Sequence, residues 1–170
     1  MSNQNVFISV LLKGVSLLFI LFCVESCSSH QTYLRLNDVE SYIQERPDSA
    51  LIVLNDLDRG LLCTNRLRAK FSLLYSTALN KNYIDTTDMS IIQPAIDFYS
   101  KHGTPVEKMK SYFYLGCFHA NRGEDDRALI DFQLALEDSS KVSDDHYKEL
   151  VNSAISDVFS RNNNVEQELA

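Results

Sequence analysis

Apolar residues recur at helical spacing along most of this chain, and few residues interrupt the pattern. In residues 124–137 one face of the predicted helix carries Ala128, Phe132, Ala135 and Leu136. Only 5 Gly and 3 Pro occur among 170 residues, whereas a chain of many short strands needs frequent tight turns. The sequence therefore predicts an all-α fold.

Breakers and cap residues divide residues 36–170 into about seven helices, arranged as antiparallel pairs joined by short turns. Pro47 separates a helix over 36–46 from the next one, because proline cannot continue the helical hydrogen-bond ladder. In the last pair, Asn163 and Asn164 occupy the predicted turn, so the second helix is incomplete. The predicted pairs lie near residues 36–57, 65–102, 105–138 and 143–170.

The boundary between the second and third pairs carries the clearest local signals. The helix over 89–102 is predicted to end at Gly103 in a left-handed conformation. Thr104 caps the next helix, Pro105 takes its first position, and Glu107 completes a capping box. These signals predict a sharp turn between two well-defined helices, and Gly123 is predicted to close the second of them.

The N-terminal segment has the features of a secretory leader. Residues 15–24 form an apolar run of about ten residues, the length of a signal-peptide core and short for a membrane-spanning helix of roughly 20. Ser26 then precedes Cys27, an arrangement that resembles the lipobox of bacterial lipoproteins. The resemblance implies a signal peptide over 1–26, lipid attachment at Cys27 and a polar tether over 27–35. An uncleaved anchor helix is the alternative.

Charge argues against one class of partner. The net charge is −7 and the isoelectric point is near 5.0, and no run of Lys and Arg interrupts the acidic surface. Such a surface repels phosphates, so the sequence predicts no nucleic-acid partner.

Residues 109–142 resemble one tetratricopeptide repeat. The first helix of that family has an aromatic residue, then Leu-Gly, and the second has alanine, a bulky residue and a small residue. The matching residues here are Tyr112, Leu115, Gly116, Ala128, Phe132 and Ala135. The small residues are expected to bring the two helices close, and Tyr112 and Phe132 to fill interfaces with neighbouring pairs. The resemblance implies a right-handed solenoid of helix pairs over 36–170.

Two segments, RPDSALIVL at 46–54 and YFYLG at 112–116, also resemble the tetratricopeptide lipoproteins of Bacteroidetes-type bacteria. That resemblance implies a non-catalytic scaffold at the cell envelope, facing the periplasm or the cell surface, that binds a protein or peptide. Ser28 after Cys27 favours the outer membrane by analogy with better-known lipoproteins. The alternative is a truncated sensory input module of a tetratricopeptide-containing receptor, and an unrecognised enzyme is the third reading.

The family's groove-facing positions give a candidate binding surface on the first helix of each pair. Lys110, Asn121 and Arg161 are expected to hydrogen-bond a peptide, and Phe113 to act as an apolar anchor. The full candidate set is Lys70, Lys110, Phe113, Asn121, Asp157 and Arg161. The open C-terminal end is a second expected contact surface, for self-association, with Val151, Ile155, Val158 and Phe159.

No sequence motif indicates catalysis, a metal or a cofactor. The pairs Asp125-Asp126 and Asp144-Asp145 fall in first helical turns, where acids suit the helix dipole. His119 is read as a core or boundary histidine with a hydrogen-bond partner. Cys63 and Cys117 lack zinc-site spacing. A disulfide between them and two separate thiols are both compatible with the sequence.

Overall fold

The computed structural model describes residues 29–143 and 145–168, with side chains described as far as Arg161. Within these residues all regular structure is helical and no strand occurs, which confirms the all-α prediction. Short 3-10 turns lie at Arg59–Leu61 and Ser139–Lys141. The α-helices are α1 (29–42), α2 (Pro47–Asn55), α3 (Asn65–Lys81), α4 (Gln93–His102), α5 (Pro105–Asn121), α6 (Asp125–Leu136) and α7 (Asp145–Glu168).

The predicted boundary signals around α5 are confirmed. The Thr104 hydroxyl accepts a hydrogen bond from the Glu107 amide at 3.3 Å, and the Glu107 carboxylate accepts one from the Thr104 amide at 2.8 Å. At the other end of α5 the chain turns through Gly123, whose φ of +72° suits glycine. Three residues therefore suffice to reverse the chain into α6.

Two predictions about α4 are wrong. The helix begins at Gln93 instead of 89, because Pro94 lacks an amide hydrogen and fits only in a first turn. Gly103 is extended, with φ −77° and ψ 152°, and is not left-handed. A glycine suits this position for another reason: a Cβ there would lie 2.6 Å from the Tyr99 carbonyl oxygen.

The first and last helices are both longer than predicted. Residues 29–35, assigned to a polar tether, open α1, because Thr32 continues the buried stripe of Leu36, Val39 and Ile43. At the other end α7 runs through residues 163 and 164 without the predicted turn. Extending an existing helix needs no new nucleation, whereas a separate helix of about six residues is unstable.

From α2 onward each helix packs against the next one in the chain, and α5 also contacts α3 and α7. Two apolar clusters form the core. Leu67, Phe71 and Leu74 of α3 pack with α1 and α2, while Ala69 and Leu73 pack with α4 to α7. Because α3 contributes to both clusters, it joins the N-terminal helices to the rest.

None of the helices within the described residues combines the length and the apolar character that crossing a bilayer requires.

Candidate functional site

The pair α5–α6 is held together at the position predicted from its small residues. The Phe132 ring lies directly over Gly116, so that a Cβ on residue 116 would be 2.4 Å from the ring. Ala128 is fully buried beside it. The close approach is therefore as predicted, but Phe132 fills space inside its own pair.

The other residues that matched the tetratricopeptide pattern pack around this contact. Ala135 is buried, while Tyr112 and Leu115 are half-buried against the same cluster. Ser76 of α3 is also fully buried. Its hydroxyl has no hydrogen-bond partner among the described residues.

His119 joins α5 to α6 through a buried carboxylate. Its Nδ1 lies 2.5 Å from Asp131 Oδ2, and its Nε2 lies 3.6 Å from a Glu124 oxygen. Burial raises the pKa of Asp131, and the hydrogen bond from His119 opposes that shift. The prediction of a histidine with a hydrogen-bond partner is confirmed, and its role is a buried link between the helices.

The odd-numbered helices α1, α3, α5 and α7 converge on one small cleft of about 140 Å³, here called the odd-helix cleft. Apolar side chains of Ile43, Leu73 and Leu74 form its floor. Its polar lining consists of Glu40, Gln44, Thr77, Lys110, His146 and Tyr147.

Tyr147 closes one side of this cleft by linking α7 to the turn that follows α1. Its hydroxyl accepts a hydrogen bond from Gln44 Nε2 at 3.0 Å, across 103 residues of chain. Lys110 Nζ lies 4.7 Å from the centre of the Tyr147 ring, a cation–π contact. An apolar floor with a charged rim is the usual composition of a site for one partner side chain.

The predicted groove residues fall into three groups. Lys110 lines the odd-helix cleft, and Lys70 makes an ion pair with Glu40 of that cleft's rim. Phe113 is wrong as an exposed anchor, because it is 4% exposed and packs between Phe132 and Tyr147. It supports the cleft wall from behind.

The remaining three predicted groove residues do not line the cleft. Asn121 donates a hydrogen bond to the Thr86 carbonyl at 3.3 Å. Arg161 forms an ion pair with Asp125 at 3.2 Å, and Asp157 is exposed on α7.

The predicted open C-terminal end is less apolar than expected. Val151 and Val158 are fully buried against α5 and α6, and Ile155 is half-buried. Phe159 alone of the four is exposed, at 54%. Among these four residues, the exposed apolar surface is therefore the single Phe159 ring.

Cys63 and Cys117 are free thiols, so the disulfide does not form. Burial raises the pKa of the Cys117 thiol to about 12, which leaves it unreactive at neutral pH. In the part of the chain that the structure describes, no group of three or more His, Cys, Asp or Glu residues could hold a metal ion.

Comparisons with protein-family models, with curated proteins and with solved structures found no match to this chain.

Proposed function

We propose that this protein is a non-catalytic scaffold that binds another protein, and that a lipid on Cys27 holds it at the bacterial cell envelope. In this proposal the helix pairs form a right-handed tetratricopeptide-type solenoid. The contacts of α5 support that arrangement, since it packs against both α3 and α7. The Gly116–Phe132 contact supports it further.

The observation that carries the proposal is the odd-helix cleft. Its volume of about 140 Å³ is close to that of an apolar cavity of about 150 Å³ that holds one benzene ring. The cleft therefore suits one apolar or aromatic side chain of a partner. Lys110 and His146 at its mouth are positioned to contact the polar groups that flank such a side chain. Pockets of this kind hold the hot-spot residues of protein interfaces.

A partner that enters this cleft is expected to cross-link to a photoreactive phenylalanine analogue placed at His146. His146 is exposed at the cleft mouth, and its ring already lies against Tyr147, so an aromatic replacement fits there. The matched position is Gln133, which is exposed on α6 and does not line the cleft. Cross-linked bands from intact cells are identified by mass spectrometry, and a specific band is expected at 146 but not at 133.

Lipid attachment is tested separately. Cys27 lies outside the described residues, so this prediction comes from the sequence alone. We expect the wild-type protein to incorporate labelled fatty acid. We also expect it in the membrane fraction, because each buried methylene of an acyl chain contributes about 0.8 kcal/mol to membrane binding. Cys27→Ser is expected to lose the label, whereas Cys63→Ser keeps it. Equal labelling of wild type and Cys27→Ser would disprove the anchor.

A further inference from the structure

A second cleft, of about 430 Å³, lies between the start of α3 and the end of α4. We call it the α3–α4 cleft. It shares no lining residue with the odd-helix cleft. Whatever binds here is therefore independent of the function proposed above.

Three basic side chains, Arg68, Lys101 and His102, line the α3–α4 cleft. This is unusual for a chain with 23 acidic and 16 Lys and Arg residues. The single acid in the lining is Asp97, which accepts a hydrogen bond from Gln93 Nε2 at 2.7 Å. The lining is thus positively charged although the protein as a whole is negative.

Arg68 is held in place at the edge of this cleft. Its Nε donates to the Leu62 carbonyl at 3.0 Å, and its Nη1 donates to Asn65 Oδ1 at 3.2 Å. A guanidinium fixed in this way loses little side-chain entropy when it binds a carboxylate. The positive end of the α3 dipole lies at the same place and adds to the attraction.

The wall formed by α4 also carries apolar and aromatic side chains. Pro94 and Phe98 are half-buried there, and the Phe98 ring lies 5.1 Å from that of His102. At about 30 Å³ per water molecule, the cleft volume of about 430 Å³ corresponds to roughly 14 waters. A bare inorganic anion would leave most of that space and the apolar wall unused.

We propose that the α3–α4 cleft binds an acidic peptide segment in which carboxylates flank an apolar side chain. Arg68 and Lys101 pair with the carboxylates, and Phe98 and Pro94 contact the apolar side chain. Charge complementarity selects a carboxylate-rich segment, and the cleft volume selects a peptide over a small anion. Asp97 opposes binding by repelling the ligand's carboxylates.

The experiment is a fluorescence anisotropy titration of the full chain in a nonionic detergent. The probe is a ten-residue peptide of alternating Glu and Leu that carries an uncharged fluorophore. Saturable binding is expected, and Lys101→Glu should weaken it about fivefold, because an attraction becomes a repulsion. Asp97→Asn should tighten it about twofold for the opposite reason. The same peptide with Gln in place of Glu should not bind.

The matched control is Lys81→Glu, at the other end of α3 and about 20 Å from Arg68 along the helix axis. It makes the same charge change outside the cleft and should leave the affinity unchanged. Equal weakening by Lys81→Glu and Lys101→Glu would mean general charge attraction and overturn the site. If citrate competes as strongly as the unlabelled peptide, the cleft binds small anions and the peptide proposal is overturned. No saturation by about 2 mM peptide would overturn the proposal outright.

Discussion

Replacing Gly116 with alanine is expected to lower the free energy of unfolding by about 2 kcal/mol. The added Cβ would lie 2.4 Å from the Phe132 ring, which is 1% exposed and enclosed by the core. The ring has no free space to move into, so the two helices must separate. The measurement is urea denaturation followed by circular dichroism.

The sign of this effect makes the test informative. In a helix interior with free space, glycine to alanine stabilises by about 1 kcal/mol. Phe132→Leu in the Gly116→Ala background should recover part of the loss, because a smaller side chain makes room. Ser76→Ala is the matched control in the preceding pair, and it should be neutral or stabilising, since the Ser76 hydroxyl lacks a hydrogen-bond partner among the described residues. A more stable Gly116→Ala protein would contradict the close packing.

The second large effect is expected at His119. Replacing it with leucine leaves the Asp131 carboxylate buried without its hydrogen-bond donor. We expect the free energy of unfolding to fall by about 2 kcal/mol. The double variant His119→Leu, Asp131→Leu should recover most of that loss, because no polar group then stays buried and unpaired. Urea denaturation of both single variants and the double variant gives the coupling energy directly.

The pH dependence checks the same pair. Because burial raises the pKa of Asp131 above its ordinary value of 3.8, the protonated carboxyl favours the folded state. Its contribution is therefore present below about pH 3.8 and is lost as the pH rises through the raised pKa. The Asp131→Asn side chain cannot ionise, so the stability of this variant relative to wild type should increase as the pH rises through this range.

In the double-variant experiment, purely additive effects of His119→Leu and Asp131→Leu would show that the contact between the two side chains contributes nothing.

Local sequence signals predicted the helices well. The capping box at Thr104, the turn at Gly123 and the close contact at Gly116 all follow from residues near one another in the chain. The wrong start of α4 came from overlooking Pro94, whose presence was visible in the sequence. Residues 29–31 are all polar, which led to the tether prediction although the buried stripe of α1 continues through Thr32.

The site was harder to predict because it depends on distant residues. Carrying the tetratricopeptide positions onto the chain selected Lys110, which lines the odd-helix cleft, but it treated the inner face as open. Nothing in the local pattern indicates that Tyr147 reaches Gln44 across 103 residues. The Tyr147 ring also packs against Phe113, and the inner face carries the small odd-helix cleft where a peptide groove was expected. Tyr147, at the start of α7, was the residue that could have drawn attention, since a buried tyrosine usually needs a partner for its hydroxyl.

The most direct test of the proposed function is the ratio of cross-link yields at positions 146 and 133 in intact cells. We expect a specific partner band at 146 that weakens severalfold with Lys110→Glu, which changes the cleft rim. Lys108→Glu makes the same charge change two residues away. Because residues two apart lie on different faces of a helix, this variant should leave the band intact. Equal yields at 146 and 133, or a band unaffected by Lys110→Glu, would contradict binding in the odd-helix cleft.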